Sequence, residues 1–155
     1  RAYIRSKQSR STTVFYFGES RSHKHGLHDR VVKVTNSSVI NRMNMVDADV
    51  YLIDASGSTA PYWNEIISYD YRSDSRVVLS KMSNCLDGQS ISSVIPGGGT
   101  EIWYSYWFTI QSMKPGETLA IISDFDSNVQ LSWSEHLRID NLVREKRIRV
   151  VAIQY

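Results

Sequence analysis

Asp54, Ser56 and Ser58 alternate along Asp54-Ala55-Ser56-Gly57-Ser58, directly after the apolar run Val50-Tyr51-Leu52-Ile53. One carboxylate and two hydroxyls, with a glycine between the hydroxyls that lets the backbone turn, make a set of hard oxygen donors. Donors of this kind suit magnesium more than zinc or copper. Two further segments carry the same chemistry. Thr100 follows Gly97-Gly98-Gly99 at the start of a predicted helix, and Asp124 ends the apolar run Leu119-Ala120-Ile121-Ile122-Ser123.

These side chains need elements that bring them together. A short continuous apolar run reads as a parallel strand buried on both faces. The residues just past the C-terminal end of such a strand are where open α/β sheets bind ligands. From Asp49 the chain alternates. Strands are predicted over 49–54, 76–82, 90–95, 118–123 and 147–153, with a turn over Asn84 to Gly88 that makes 90–95 antiparallel to 76–82. Helices are predicted over about 61–71, 100–113 and 132–146. Thr59 is expected to cap the first, with Pro61 in its first turn, and Trp63, Ile66, Ile67 and Tyr71 are expected on its buried face. Trp103, Tyr106, Trp107 and Phe108 of the second supply core, with Tyr104 on the opposite face from Trp107 and exposed. Ser132 and Glu135 have the spacing of a capping box. Strands alternating with helices imply right-handed crossovers and an α/β fold with a doubly wound, mostly parallel sheet flanked by helices.

The pattern Asp-x-Ser-x-Ser, then a distant Thr, then an Asp after a later strand, resembles the metal-ion-dependent adhesion site of von Willebrand factor type A-like domains. Asp54, Ser56, Ser58, Thr100 and Asp124 match all five positions. The resemblance covers residues 47–155 and implies a Rossmann-like sandwich. It implies that Ser56 and Ser58 bind magnesium directly, that Asp54 and Asp124 act largely through water, and that Thr100 engages when the site is open. Manganese or calcium are alternatives to magnesium. One coordination position is left for a carboxylate from a partner protein, so that the ion bridges two proteins in a larger assembly, self-assembly included. Thr59, Tyr62, Phe125 and Asp126 are expected to border that partner. The chain stops one strand and about two helices short of the family pattern.

Residues 1–46 lie outside the resemblance. Thr12 to Phe17 and Arg30 to Thr35 have the β-branched and aromatic content of strands, with a loop from Gly18 to Asp29 between them. They are expected as an N-terminal β extension, an antiparallel pair added to the sheet edge. This part is basic. Residues 1–42 hold nine Lys or Arg against Glu19 and Asp29, whereas the whole chain of 155 residues has a net charge of only +2. The basic stretch therefore precedes an acidic domain. It offers contacts to nucleic-acid phosphates, with Tyr3 and Tyr16 for stacking, or to an acidic protein surface. Its charges are scattered, as on an ordinary solvated strand pair.

No segment approaches the roughly 20 apolar residues that span a bilayer. The start, Arg1 to Lys7, lacks the apolar core of a signal peptide. Cys85 is the one cysteine, which excludes an intrachain disulfide and a cysteine-rich zinc site and points to a cytoplasmic setting.

Rival readings remain for several residues. The rival reading makes Ser56 and Ser58 turn residues only, and Asp54 and Asp124 helix caps, but three separate matches must then coincide. The fold could then act as a structural or nucleic-acid-associated scaffold without metal. Asp124-Phe125-Asp126 resembles the nucleophile loop of haloacid dehalogenase-like phosphatases, where the first carboxylate attacks phosphorus. That pattern wants Thr or Val where Asn128 stands, and a lysine and an acidic loop beyond it, yet only 29 residues follow Asp126. The glycine run before Thr100 lacks the lysine of a phosphate-binding loop. His23, His25 and His28 could hold a transition metal, but Lys24 among them favours a solvated loop. No serine triad is evident, and Cys85 has no activating partner in the sequence. The expectation is a non-enzymatic binding module.

Overall fold

The computed structural model describes residues 13–16, 25–28, 30–33, 38–82, 84–87, 90–128 and 130–155. Among them are strands β1 (Thr13–Tyr16), β2 (His25–His28), β3 (Arg30–Lys33), β4 (Val50–Asp54), β5 (Arg76–Lys81), β6 (Asn84–Asp87), β7 (Thr118–Ser123) and β8 (Arg149–Gln154). The helices are α1 (Val39–Met43), α2 (Trp63–Ser68), α3 (Ile102–Ser112) and α4 (Trp133–Lys146). Six strands form one sheet in the order β3-β8-β7-β4-β5-β6. Neighbours are parallel from β3 to β5, and β6 runs antiparallel to β5. The fold is α/β with a mostly parallel sheet.

The apolar runs do what their continuity requires. All five residues of β4 are buried, as are five of the six in β7. Alternate side chains feed two separate cores. Leu52, Ile121, Val150 and Ala152 pack with Trp103, Tyr106 and Ile110 of α3 and Ile139 and Val143 of α4. Tyr51, Ile53, Ile122 and Ile153 pack with Val39 and Met43 of α1 and Trp63 and Ile66 of α2. A strand buried on both faces therefore sits between two helical layers. Beside α2, Tyr51, Tyr69 and Tyr71 meet in tilted and edge-on contacts. Burial pushes the Tyr51 and Tyr71 phenols well above their ordinary range.

Helix ends follow local chemistry. Ser132 and Glu135 form the expected capping box, the Glu135 amide donating to Ser132 Oγ at 3.2 Å and the Ser132 amide to Glu135 Oε1 at 2.9 Å. At the other end of the same helix, Lys146 Nζ donates to the carbonyls of Ile110, Gln111 and Met113 at 3.0, 2.8 and 2.8 Å. One ammonium thus satisfies the last turn of α3 and locks α3 to α4. Lys146→Met is expected to lower stability by about 2 kcal/mol, measured as a fall in the urea midpoint at unchanged slope.

Three expectations are corrected. The helix expected over 61–71 is a 3₁₀ stretch, Gly57–Tyr62, followed by the short α2, and its N-cap position is Ser56 rather than Thr59. The returning antiparallel strand is 84–87, where a turn was expected, because Lys81 pairs with Asn84 and the chain reverses at once. Residues 90–95, read as that strand, instead hold a 3₁₀ turn at Ile91–Ser93, and Ile95 is 81% exposed. In the N-terminal part, β1 pairs antiparallel with β2, inside the stretch read as loop, while β3 pairs parallel with β8. His25 and His28 stand on β2; His23 and the basic run Arg1 to Arg10 with Tyr3 lie outside the described residues. Among the described residues, no helix is long and apolar enough to cross a membrane.

Candidate functional site

Ser56, Ser58, Thr100 and Asp124 line one open cleft of about 350 Å³ at the C-terminal edge of the sheet, together with Gly98, Gly99, Asp126, Ser127 and Asn128. Four of the five expected ligands thus meet, from three loops far apart in the chain. The fifth, Asp54, lies beneath them and is fully buried. Its Oδ1 accepts from the Ser56 amide at 2.8 Å and its Oδ2 from Ser123 Oγ at 2.7 Å. Burial pushes the Asp54 carboxyl above the ordinary carboxylate range, against the hydrogen bonds from Ser56 and Ser123 that pull it down.

Both carboxylates close tight turns in their own loops. Asp54 takes the amide two residues on, and Asp124 Oδ1 takes the Asp126 amide at 3.0 Å. Ser56 occupies the N-cap position of the 3₁₀ stretch without a side-chain capping bond. Its hydroxyl lies 3.2 Å from that of Ser58, so two hydroxyl oxygens sit side by side at the cleft.

The glycine run works as a clasp between the other two loops. The Gly57 amide donates to the Gly98 carbonyl at 2.9 Å, and the Gly97 amide to the Ala55 carbonyl at 3.0 Å. On its far side, the Thr100 amide donates to Asn128 Oδ1 at 2.8 Å, and the Asn128 amide returns to the Thr100 carbonyl at 2.9 Å. Gly98 has φ of +71°, a left-handed conformation that favours glycine. A Cβ on Gly99 would meet Asn128 Oδ1 at 2.0 Å, so a side chain there would displace the Asn128 amide.

The Asp124–Asp126 loop holds a second backbone special. Phe125 is a non-glycine residue with φ of +62°. Its amide donates to Ser123 Oγ at 2.8 Å, and its buried ring lies 6.0 Å from that of Trp103. Turning Phe125 inward leaves Asp124 and Asp126 on the cleft. Phe125 and Thr59, expected to border a partner, are therefore interior instead: both are buried, and the Thr59 hydroxyl hydrogen-bonds that of Tyr155. Tyr62 is half-buried and packs against Tyr155 in a tilted contact with ring centroids 4.5 Å apart. Asp126 is exposed, as a bordering residue must be. Burial raises the Tyr155 phenol well above its usual range, and the nearby Asp54 carboxylate adds to this.

Four residues contribute that were not read from the sequence: Ser80, Ser123, Asn128 and Tyr155. The available signal was a serine directly after each of two apolar runs, Val77 to Leu79 and Leu119 to Ile122. Asn128 was seen only as a mismatch to the phosphatase pattern.

The donor set consists of oxygen alone. Among the described residues, no group of three or more His, Cys, Asp or Glu side chains is arranged to hold a metal ion, so a cation here would depend on hydroxyls as well as carboxylates. No Lys or Arg is among the described residues lining the cleft. With Asp124 and Asp126 on its wall and Asp54 beneath, the cleft favours a cation over a phosphate. Compared with family models and with curated proteins, the chain finds no match.

Proposed function

We propose that this chain is a non-enzymatic protein-binding module, built as a type A-like domain, that works through a magnesium ion. The observation that carries the reading is the convergence of Ser56, Ser58, Thr100 and Asp124 on one acidic cleft above buried Asp54. Magnesium is a hard cation that keeps several waters and takes oxygen ligands, which is what hydroxyls and a few carboxylates provide. The ion would supply an electrophilic site for a carboxylate from a partner protein.

The residues divide the work. Ser56 and Ser58 present neighbouring hydroxyl oxygens. Asp124 and the buried Asp54 supply negative charge, and Asp126 stands at the rim, where an approaching partner meets it. Asp54, Asp124 and Asp126 can already balance the formal charge of the ion, so a partner's carboxylate would be drawn by a coordination position that the ion otherwise gives to water rather than by excess charge. Phosphoryl transfer is the weaker reading. The cleft has no lysine or arginine among its described lining residues to balance a phosphate, and Asn128 is engaged with Thr100.

Calorimetric titration with Mg²⁺ or Mn²⁺ tests the proposal. The wild-type chain is expected to bind one ion, and the double variant Ser56→Ala/Ser58→Ala to bind none. Equal binding by both proteins would sink the reading. Binding by neither would leave the fold as a scaffold without metal.

A further inference from the structure

We propose that Ser80, outside the five-residue pattern, is the positioning residue that lets Thr100 ligate a cation, by accepting the hydrogen bond that the Thr100 hydroxyl donates. This rests on the magnesium reading of the cleft.

Ser80 belongs to β5, stands in register beside Asp54 of β4, and is fully buried. Its Oγ lies 2.9 Å from Thr100 Oγ1 and 2.6 Å from Ser105 Oγ on α3. Thr100 and Ser105 are themselves almost completely buried. Ser105 sits one turn before Thr109, whose hydroxyl donates to the Ser105 carbonyl at 2.7 Å. Three hydroxyls therefore run in a line from the cleft wall, under the sheet edge, to the first turns of α3.

Oxygen positions alone allow the protons to point either way along this line. A cation removes the choice. A ligating hydroxyl offers a lone pair to the metal and must send its proton elsewhere. Water cannot take that proton from a buried Thr100, and an unpaired buried hydroxyl is costly. Ser80 is the acceptor in reach, and its own O–H can donate to Ser105 Oγ. The line then runs inward, from Thr100 to Ser80 to Ser105, with the Thr100 oxygen left electron-rich at the cleft. Each step is polarised by the one before it. A Ser80 methyl group would leave the Thr100 proton with no partner except the space the cation needs.

The test is a double-mutant cycle read by magnesium calorimetry, with metal-free melting curves confirming the fold of each protein. Ser80→Ala is expected to weaken magnesium binding about tenfold. Thr100→Val also weakens it. In the Thr100→Val background, Ser80→Ala is expected to cause no further loss, because Ser80 acts only through the Thr100 hydroxyl. Ser105→Ala, at the far end of the line, is expected to weaken binding by a smaller factor and provides the same cycle if Ser80→Ala does not fold. Wild-type affinity in Ser80→Ala overturns the inference. So does a tenfold loss that persists with Thr100→Val, which would mean general loosening. If wild type binds and Ser80→Ala binds equally, only this inference fails; if wild type does not bind magnesium, the proposed function fails with it.

Discussion

Asp54→Asn is expected to raise the melting temperature of the metal-free protein at pH 7 while abolishing its response to magnesium. Asparagine keeps the shape and can accept from the Ser56 amide as Asp54 Oδ1 does at 2.8 Å. Its NH₂ can donate to Ser123, reversing the 2.7 Å bond that Asp54 Oδ2 now accepts. What disappears is a negative charge at a fully buried position. Burial holds the folded-state pKa of Asp54 above its ordinary value, so the fold favours the protonated carboxyl. That contribution is fully present below the ordinary carboxylate pKa and is lost as pH rises through the higher folded-state value. Above that window the buried carboxylate costs stability. Removing it should add about 1 kcal/mol, or roughly 2–4 °C in melting temperature. The decline of wild-type stability across that pH window should flatten in the variant. Saturating magnesium, at a hundredfold excess over its dissociation constant, should stabilise wild type by about 2.7 kcal/mol and the variant not at all. A metal-free variant that melts below wild type at pH 7 would show that the carboxylate stabilises the fold there, against this account.

Gly99→Ala is the second large effect. The added methyl would overlap Asn128, with Oδ1 at 2.0 Å and Cγ at 2.7 Å. Asn128 must swing away, and the Thr100 amide then loses the 2.8 Å bond it donates to Asn128 Oδ1. Loss of a partner for a buried amide costs about 1–3 kcal/mol, and Thr100 is freed from its place at the cleft. Both the urea midpoint and magnesium affinity should fall. Gly97→Ala is the control, because a methyl there meets nothing within 4 Å, and it should change stability by less than about 0.5 kcal/mol. The steric origin is checked by placing Gly99→Ala on Asn128→Ala, where the substitution should cost little more. A full additive penalty in that background would refute the overlap as the cause.

Much of the scaffold was legible because its signals are local. Val50 to Ile53 and Leu119 to Ile122 are apolar without interruption, and both became buried parallel strands. The Ser132 and Glu135 pairing needs only residues three apart. The hairpin was misread for the opposite reason. Ile91, Val94 and Ile95 look like a strand, but strand register depends on what lies across from it, and β5 was already paired with 84–87. The same division runs through the cleft. Asp54, Ser56, Ser58, Thr100 and Asp124 declare themselves by type and position. Ser80 and Ser123 follow apolar runs that the sequence shows, and Tyr155 stands just past β8, but spacing along the chain does not say that they reach Thr100, Asp54 and Thr59. Thr59 and Phe125 were expected to border a partner because they stand next to site residues in the chain. Their direction was set by a 3₁₀ turn and a left-handed φ that the sequence does not announce.

The glycine run is bonded on one side to Ala55 and Gly57 and on the other to Asn128. The loops that carry Ser56, Thr100 and Asn128 are thereby tied to one another, so a displacement of one is passed to the others. Flexible cages adapt to calcium, whose shell is wide and variable, whereas a stiff frame rewards a small ion with strict octahedral demands. Under the binding role proposed above, this stitching would set the spacing of the ligating loops through three main-chain bonds and the Asn128 side chain.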